Sequence, residues 1–274
     1  MSKGSHHQRD WEALAEIDPL YAILSTADTK YGGWDTDAFL ATGIDDVTRI
    51  LTVADTLGLP ANRGASFELG CGVGRLTRAL APHFDRSVGV DISTAMIAQA
   101  RDLNTGVANC EWIVNTADDL RQFANGSFDL VLSHLVLQHV PTRAAILNLL
   151  SELARILAPG GLLIAQLPAS MPLRQRLQLR RRAYATLRRV GVSNAVLYRK
   201  LGLHPIRMNW VPRPQVEARL SAAGARVLDV ELGWLGDRAA TGREINLTYL
   251  ATRDRCIHTQ TNQAKRGSCE PTRR

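Results

Sequence analysis

Residues Phe67–Arg75 read FELGCGVGR, and the order of residue types in this stretch decides the fold. The stretch ends an apolar run, Ala65–Leu69, that carries one acid, and it then has glycine at every second position from Gly70. A helical pattern follows over Arg75–Ala81 and stops at Pro82. A strand, a glycine turn and a helix in this order are typical of a nucleotide-cofactor site at the carboxyl edge of a parallel sheet, because glycine lets a ligand lie against bare main chain.

The spacing of the glycines narrows the type of cofactor. A dinucleotide-binding turn needs a further glycine where Arg75 stands, and a phosphate-binding loop needs a Lys-Ser or Lys-Thr pair that is absent here. A dehydrogenase is therefore a distant alternative. A plain strand-to-helix turn without a ligand remains open at this point, since glycine turns are common.

A second apolar strand is predicted over Ser87–Val90, and it is followed by Asp91. A carboxylate at that position can accept hydrogen bonds from both hydroxyls of a ribose. Ser93 then has the position of a helix N-cap before Thr94–Asp102. The alternative is that Asp91 is only a capping or solvent-facing residue.

Together these segments resemble the class I S-adenosylmethionine (SAM)-dependent methyltransferases. The glycine turn and Gly89–Ser93 resemble the first two signatures of that family. The later signatures follow in the family's order. Trp112–Leu120 resembles the third strand and the adenine loop, and Ser127–Ser133 resembles the fourth strand. Leu135–Val140 resembles the segment after the fourth strand, and Leu153–Gln166 resembles the closing helix, turn and strand. The resemblance covers residues 65–167 and implies SAM as the cofactor.

The alternation of predicted strands and helices indicates an α/β fold. With the resemblance, we expect a Rossmann-like, doubly wound sheet of seven strands, mostly parallel with an antiparallel last strand. We divide the chain into a helical N-terminal lead-in over 1–64, a SAM-binding core over 65–167, a basic helical cap over 168–213, a helix and strand pair over 214–252 that complete the sheet, and a tail over 253–274 that we expect to be disordered. In the lead-in, the pattern predicts separate helices over 36–41 and 45–57.

Length and composition agree with one large α/β domain with extensions, since the chain has 274 residues of which 45% are hydrophobic. No apolar run is long enough to cross a membrane, and the first residues do not form an apolar leader. The four cysteines, Cys71, Cys110, Cys256 and Cys269, lack the spacing of a zinc site or of a disulfide framework. We therefore expect no metal and a cytoplasmic protein.

Positive charge is concentrated in one segment. Between Met171 and Arg213 the chain has eleven basic residues and no acid, whereas the net charge of the whole chain is +7, so the rest carries −4. Such a segment, above all Arg174–Arg189, can present guanidinium groups to an acidic substrate, a nucleic acid or an anionic membrane surface. The alternative is a solvated helix face whose aliphatic stems pack on the domain.

The resemblance also implies which residues hold SAM. At the methionine end the residues are Glu68, Gly70, Cys71, Gly72 and Gly74, with Ser133 and His134 beside them. At the nucleoside end, Asp91 is implied for the ribose, and Ile92 and Leu120 for the adenine ring. The residues implied for the adenine edge are Thr116, Ala117 and Asp118. Many relatives have an acid where this chain has Thr116, so the partner of the adenine amino group is open between Asp118 and Asp119. Both acids can instead serve as helix N-terminal charges.

Tyr31, Trp34, Gln138 and His139 are the candidates for lining the acceptor end of the site. An imidazole can take a proton near neutral pH, so His139 is the candidate base, although it can equally be a structural hydrogen-bonding residue. The rings of Tyr31 and Trp34 can face the sulfonium or the adenine, or they can simply pack. The chain lacks the Asn-Pro-Pro-Tyr and Pro-Cys sequences that DNA base methylases use.

Three functions follow as hypotheses. The first is methyl transfer to a small-molecule acceptor, such as an oxygen of a sugar, a lipid-linked compound or a secondary metabolite. The second is an RNA- or membrane-associated methyltransferase that uses the arginine-rich segment. The third is a SAM-binding partner protein that has no catalytic activity.

Overall fold

The computed structural model describes residues 6–25, 29–30, 32–235 and 245–254, apart from the side chain of Arg174. Tyr31, Cys256, Cys269 and most of the 253–274 tail lie outside the described residues. The sequence-based expectations for them therefore stay predictions.

A seven-stranded sheet forms the centre of the fold, with the strand order β3-β2-β1-β4-β5-β7-β6. The strands are β1 (Ala65–Leu69), β2 (Arg86–Asp91), β3 (Cys110–Val114), β4 (Phe128–Ser133), β5 (Leu157–Ser170), β6 (Arg226–Leu232) and β7 (Ile245–Thr252). Strands β1 to β5 pair in parallel, whereas β7 is antiparallel to both of its neighbours. The predicted mostly parallel sheet with an antiparallel last strand is confirmed.

Helices precede, separate and cap these strands. They are α1 (His6–Ile17), α2 (Pro19–Ile23), α3 (Thr36–Leu57), α4 (Arg75–Leu80), α5 (Thr94–Leu103), α6 (Arg143–Ile156), α7 (Leu173–Arg176), α8 (Leu179–Arg189), α9 (Asn194–Arg199) and α10 (Arg213–Ala222). Within the described parts of the chain, no helix is long and apolar enough to span a bilayer.

Helix α3 corrects one prediction, because the two helices expected over 36–41 and 45–57 are a single helix, Thr36–Leu57. The prediction was wrong between Ala41 and Asp45, where Gly43 lies inside the helix. A Cβ on Gly43 would lie 2.8 Å from Cγ of Arg75, so this glycine lets α3 approach the start of α4 closely. Position 43 is a glycine because α3 and α4 pack closely there, not because the chain turns.

Both faces of the sheet are covered by helices, and β4 explains how. Leu130 and Leu132 pack with Ile50 of α3 in one buried cluster, while Val131 between them packs with Leu150 of α6 in another. Side chains on a strand alternate between faces, so one apolar run supplies both cores. This burial on two sides accounts for a β4 sequence without polar alternation.

The order of the strands reverses direction at β1, because β2 lies on one side of β1 and β4 on the other. Crevices for ligands form at such switch points, outside the carboxyl ends of the strands. Gly70 and Cys71 immediately follow β1, and their N–H groups both donate to the carbonyl oxygen of Val90, at 2.6 and 3.0 Å. These bonds hold the glycine turn at the edge of the crevice.

The cap region, residues 168–213, lies beside the same crevice. The N–H of Asn209 donates to the carbonyl oxygen of Gln138 at 2.7 Å, and the N–H of Val211 donates to that of Pro168 at 3.0 Å. The hydroxyl of Tyr198 in α9 reaches the buried carboxylate of Asp18, 3.3 Å away, between α1 and α2. The lead-in and the cap are therefore in contact on one side of the domain.

Candidate functional site

A cavity opens at the carboxyl ends of β1, β2 and β4. Its walls come from the glycine turn (Gly70, Gly72), the end of β2 (Asp91, Ile92), the loop after β3 (Asn115, Ala117, Asp118), the segment after β4 (including His134, Leu135, Val136 and His139) and the helices α1 and α2 (His7, Trp11, Ala22, Ile23). Eight of the residues predicted to hold SAM or to line the acceptor end are in this set.

Asp91 is held between two main-chain donors. Its Oδ2 accepts a hydrogen bond from the N–H of Gly72 at 2.9 Å, and its Oδ1 accepts one from the N–H of Ser93 at 2.9 Å. Burial raises the pKa of Asp91, and these two bonds act in the opposite direction. The carboxylate is therefore fixed in orientation, with further lone pairs able to accept hydroxyls from the cavity.

The glycine turn is a main-chain surface covered closely by apolar side chains. The φ angles of Gly70 and Gly72 are 74° and 54°, which side-chain-bearing residues rarely adopt. A Cβ on Gly70 would lie 2.6 Å from Cγ1 of Val136, and a Cβ on Gly72 would lie 2.8 Å from Cγ1 of Ile23. A bare backbone, a carboxylate at the cavity wall and apolar walls are features that suit an adenosyl cofactor, so the residues present fit SAM.

Two polar side chains hold the loop after β3 in place. Asn115 accepts the N–H of Ala117 at 3.2 Å and donates to the carbonyl oxygen of Asp119 at 2.8 Å, while Asn148 donates to that of Asp118 at 2.6 Å. Ala117 and Asp118 line the cavity, as does Asn115, which the sequence analysis did not single out.

Some predicted cofactor residues lie outside the cavity wall. Thr116 is exposed, Leu120 is fully buried in the main core, and Gly74 starts α4 with φ 88° facing Trp112. Cys71 is buried, and burial raises the pKa of its thiol well above the ordinary value. Direct contact of these residues with SAM stays a prediction.

Glu68 lies behind the glycine turn. It is buried and accepts a hydrogen bond from the hydroxyl of Thr77 on α4. Burial raises the pKa of Glu68 to about 7, although this hydrogen bond and the positive charge of Arg75 lower it. Glu68 therefore supports the turn through α4, and any direct contact with the methionine end of SAM also stays a prediction.

His134 forms part of the cavity floor through a chain of contacts. Its ring stacks on Trp234 with centroids 3.7 Å apart, and the indole Nε1–H of Trp234 donates to Asp46 at 3.0 Å. The other oxygen of Asp46 pairs with the buried guanidinium of Arg75 at 2.6 Å. Burial, followed by the charge of Arg75, lowers the pKa of His134 well below the ordinary value, so its ring is neutral. Beside it, Ser133 is fully buried, and its Oγ has no hydrogen-bond partner within the described residues.

His139 lies at the other end of the cavity. Its Nδ1 is 2.7 Å from the carbonyl oxygen of Arg207, an acceptor only, so Nδ1 carries the proton and Nε2 has the lone pair. Burial lowers the pKa of His139 to about 4. The amide Nε2 of Gln138, a buried residue, is 3.3 Å from this lone-pair nitrogen.

Helix α1 contributes two residues to the same end, which sequence reasoning missed. The ring of Trp11 meets that of His139 edge-on, with centroids 5.4 Å apart, and His7 also lines the wall. Burial, with the charge of Arg207, lowers the pKa of His7 to about 4. The sequence predicted only a helical lead-in for this part of the chain.

Glu12 fastens α1 to the cofactor side of the domain. Its carboxylate accepts hydrogen bonds from the hydroxyl of Ser93 and from the N–H groups of Thr94 and Ala95, at 2.8, 2.7 and 3.0 Å. These donors form the first turn of α5, two residues after Asp91. The position of Trp11 and His7 is therefore coupled to the loop that holds Asp91.

Trp34 is not among the residues that line the cavity. Its indole N–H donates to the carbonyl oxygen of Leu24 at 2.9 Å, and its ring packs edge-on against Phe39. These contacts fit the packing alternative for Trp34, whereas Tyr31 lies outside the described residues. Within the parts of the chain that are described, no group of three or more His, Cys, Asp or Glu residues could hold a metal.

Comparison with known proteins assigns the fold and the site to a class. Residues 67–165 match a family model described as "Methyltransferase domain". A SAM-dependent methyltransferase from Clostridium acetobutylicum has a TM-score of 0.57 at 15% identity, covering 86% of this chain and 96% of that one. Magnesium protoporphyrin IX methyltransferase from Synechocystis, with bound SAH, has a TM-score of 0.56 at 22% identity, covering 90% and 97%. Residues 67–165 therefore carry a methyltransferase domain, and the fold is that of these SAM-dependent methyltransferases.

Sequence similarity to curated proteins extends over shorter stretches of the chain. A trans-aconitate 2-methyltransferase from Methylobacterium nodulans is 32% identical over 162 residues, which are 58% of this chain and 57% of that protein. Nodulation protein S from Rhizobium tropici is 33% identical over 100 residues, 36% of this chain and 41% of that protein. The chain spans between 32% and 57% of the length of the first four curated relatives it matches.

Proposed function

We propose that this chain transfers the methyl group of SAM to a small-molecule acceptor, at an oxygen of a sugar, lipid-linked or secondary-metabolite compound. The observation that carries the proposal is a single cavity that runs from Asp91 and the glycine turn to His139 and Trp11. The name of the trans-aconitate 2-methyltransferase relatives describes a small-molecule acceptor, which supports this substrate class.

In this proposal the nucleoside end of SAM is held by residues of β2 and of the loop after β3. Asp91 accepts the ribose hydroxyls, Ile92 packs on the adenine, and Ala117 and Asp118 meet its edge. The main chain at Gly70 and Gly72 holds the methionine part. SAM would supply an activated methyl group on a sulfonium, and His134 and His139 line the cavity that would hold it.

His139 is the proposed general base. Its Nε2 would take the proton of an acceptor hydroxyl, and bound SAM would supply the methyl group. The carbonyl oxygen of Arg207 stabilises the resulting imidazolium through Nδ1–H, 2.7 Å away. Because burial lowers the pKa of His139 to about 4, the ring is neutral and has a free-base Nε2 at neutral pH, and it is a weaker base than an ordinary histidine.

The experiment is methyl transfer from labelled SAM to a panel of hydroxyl compounds, with SAM binding measured by calorimetry on the same protein. His139→Ala should lower turnover by roughly 10²-fold or more, the usual contribution of a positioned base, while the SAM dissociation constant stays within about twofold. His83→Ala, at an exposed histidine on the surface, is the matched control. A turnover that is unchanged in His139→Ala would remove His139 from the mechanism.

The same calorimetry separates the alternatives. Tight SAM binding with no product from any acceptor favours a SAM-binding partner protein without catalysis.

As part of our proposal, the arginine-rich segment Arg174–Arg189 contacts an anionic molecule or surface, because it is strongly basic and has no acid. Retention on RNA or on anionic vesicles would indicate the second alternative, a methyltransferase that acts at such a surface.

A further inference from the structure

Three leucines are exposed where α7 meets α8. The side chains of Leu173, Leu177 and Leu179 are 71%, 43% and 63% exposed, within a stretch of seven residues. Single exposed leucines are ordinary, whereas several close together mark a surface that contacts something apolar. We call Leu173, Leu177 and Leu179 the leucine cluster.

Exposed arginines surround the leucine cluster. Arg180, Arg182, Arg188 and Arg189 are exposed on α8, and Val190 after it is 73% exposed. One outward stripe of this segment consists of exposed positions at helical spacing, namely 179, 182, 183, 186 and 190. This stripe combines Leu179, Val190 and Arg182, and the sequence from 171 to 213 has no acid to pair with the arginines.

The opposite side of this cap is held to the rest of the protein. Tyr184 is buried, and its hydroxyl donates to Asn194 at 2.9 Å. Gln178 donates to the carbonyl oxygen of Met208 at 2.9 Å, and Arg181 donates to that of Pro205 at 3.2 Å. The packing face of α8 is thus already used, and the leucine cluster is on a different, outward side.

We propose that residues 173–190 bind the surface of a bilayer that contains anionic phospholipids. The leucine cluster enters the interfacial region, and the exposed arginines pair with lipid phosphates. Basic side chains next to exposed aliphatic ones are the combination that such a surface recognises. This inference names the anionic partner proposed for the cap, and it does not depend on which acceptor is methylated.

RNA fits these observations less well, because single-stranded nucleic acids bind through aromatic platforms as well as through charge. The ring of Trp210 is in contact with the guanidinium groups of Arg143 and Arg176, whose Cζ atoms are 4.3 and 4.6 Å from the ring centroid. Tyr184 and Tyr198 are buried. An exposed leucine cluster adds nothing to phosphate binding, whereas it adds directly to insertion into lipid.

The test is flotation of the full chain with vesicles of phosphatidylcholine, with and without phosphatidylglycerol, at low and high salt. We expect binding to the anionic vesicles only, and weaker binding at high salt. The triple variant Leu173→Ser, Leu177→Ser, Leu179→Ser should lose binding at least tenfold. The triple variant Arg180→Gln, Arg182→Gln, Arg189→Gln should lose roughly fivefold for each charge removed.

Matched controls lie outside the cap. Ile44→Ser, Leu57→Ser and Leu103→Ser together remove three exposed apolar side chains elsewhere, and Arg63→Gln, Arg121→Gln and Arg219→Gln together remove the same charge elsewhere. Both controls should bind vesicles like the parent. Circular dichroism and SAM calorimetry on every variant verify folding and separate this inference from methyl transfer.

Each other outcome overturns the inference. No binding to anionic vesicles at low salt excludes the surface, and binding that the leucine variant retains shows an electrostatic contact without insertion. Equal loss in the cap variants and their matched controls shows a nonspecific effect of charge or hydropathy. Tighter, salt-dependent binding to a polyuridine oligonucleotide, unaffected by the leucine variant, would assign the cap to RNA.

Discussion

The carboxylate of Asp91 and the main-chain N–H of Gly72 are joined by a hydrogen bond of 2.9 Å, which ties the end of β2 to the glycine turn after β1. The two sequence signatures that are far apart in the chain therefore form one structural unit. Through Ser93 and Glu12 the same unit is connected to α1, whose residues His7 and Trp11 line the cavity. The end of the cavity at Asp91 and the end at Trp11 are thus parts of one hydrogen-bonded arrangement.

Asp91→Ala should weaken SAM binding by about 2 kcal/mol or more, because the ribose hydroxyls lose a charged acceptor. The glycine turn also loses its tie to β2, which adds to the effect. Calorimetry measures the change, with Asp102→Ala, at an exposed acid on α5, as the control. An affinity equal to that of the parent would refute the ribose assignment.

Gly72→Val should abolish SAM binding in a protein that still folds. The φ of Gly72 is 54°, and a Cβ there would lie 2.8 Å from Cγ1 of Ile23, so the valine side chain would distort the turn and displace α2. Gly106→Val is the matched control, since nothing lies within 4 Å of a Cβ at Gly106. Normal SAM binding by Gly72→Val would show that the turn is not the cofactor cradle.

The protein should become less stable as the pH rises from about 4.5 to about 7, because Glu68 ionises in this range. Burial raises its pKa from 4.5 to about 7, so between these values the folded state keeps a proton that the unfolded chain releases. The free energy of unfolding contributed by Glu68 is therefore full below about pH 4.5 and falls by up to roughly 3 kcal/mol as the pH reaches about 7.

Urea unfolding of Glu68→Gln between pH 4.5 and 8 checks this. The amide keeps an acceptor for the hydroxyl of Thr77 and cannot ionise, so the variant should have a flatter profile than the parent and should be more stable at pH 8. Glu16→Gln, at an exposed acid, should keep the profile of the parent. If the stability of Glu68→Gln depended on pH as steeply as that of the parent, the result would contradict a raised pKa for the buried Glu68 carboxyl.

Asp46→Asn should destabilise the fold by about 3–5 kcal/mol, because it leaves the guanidinium of Arg75, with only 4% of its side chain exposed, without its charged partner. The neighbouring exposed acid gives the control, Asp45→Asn, which should change the free energy of unfolding by less than about 0.5 kcal/mol. Equal effects of the two substitutions would mean that the ion pair is not important for stability.

Local sequence signals were sufficient for the strands and for bringing the glycine turn and Asp91 to one edge of the sheet. The strand pair predicted within 214–252 is present as β6 and β7, because apolar runs of this length favour strands. Gly70, Gly72 and Asp91 meet at one edge because parallel strands present their carboxyl ends together, and this follows from the order of elements alone.

The residues that sequence reasoning missed depend on contacts between distant parts of the chain. Trp234 stacks on His134 from a position 100 residues later, and Trp11 meets His139 from 128 residues earlier. No periodicity encodes such pairs. The same reason applies to Gly43, whose absent side chain serves the crossing of α3 and α4 rather than a helix end.

The most direct test of the central claim is a crystal structure with S-adenosylhomocysteine, the demethylated cofactor, bound to the full chain. We expect its ribose hydroxyls on the carboxylate of Asp91, its homocysteine part along the main chain of Gly70 and Gly72, and its sulfur directed toward His139. A nucleoside that binds anywhere else, or a complex in which Asp91 has no contact with it, would contradict the assignment of this cavity.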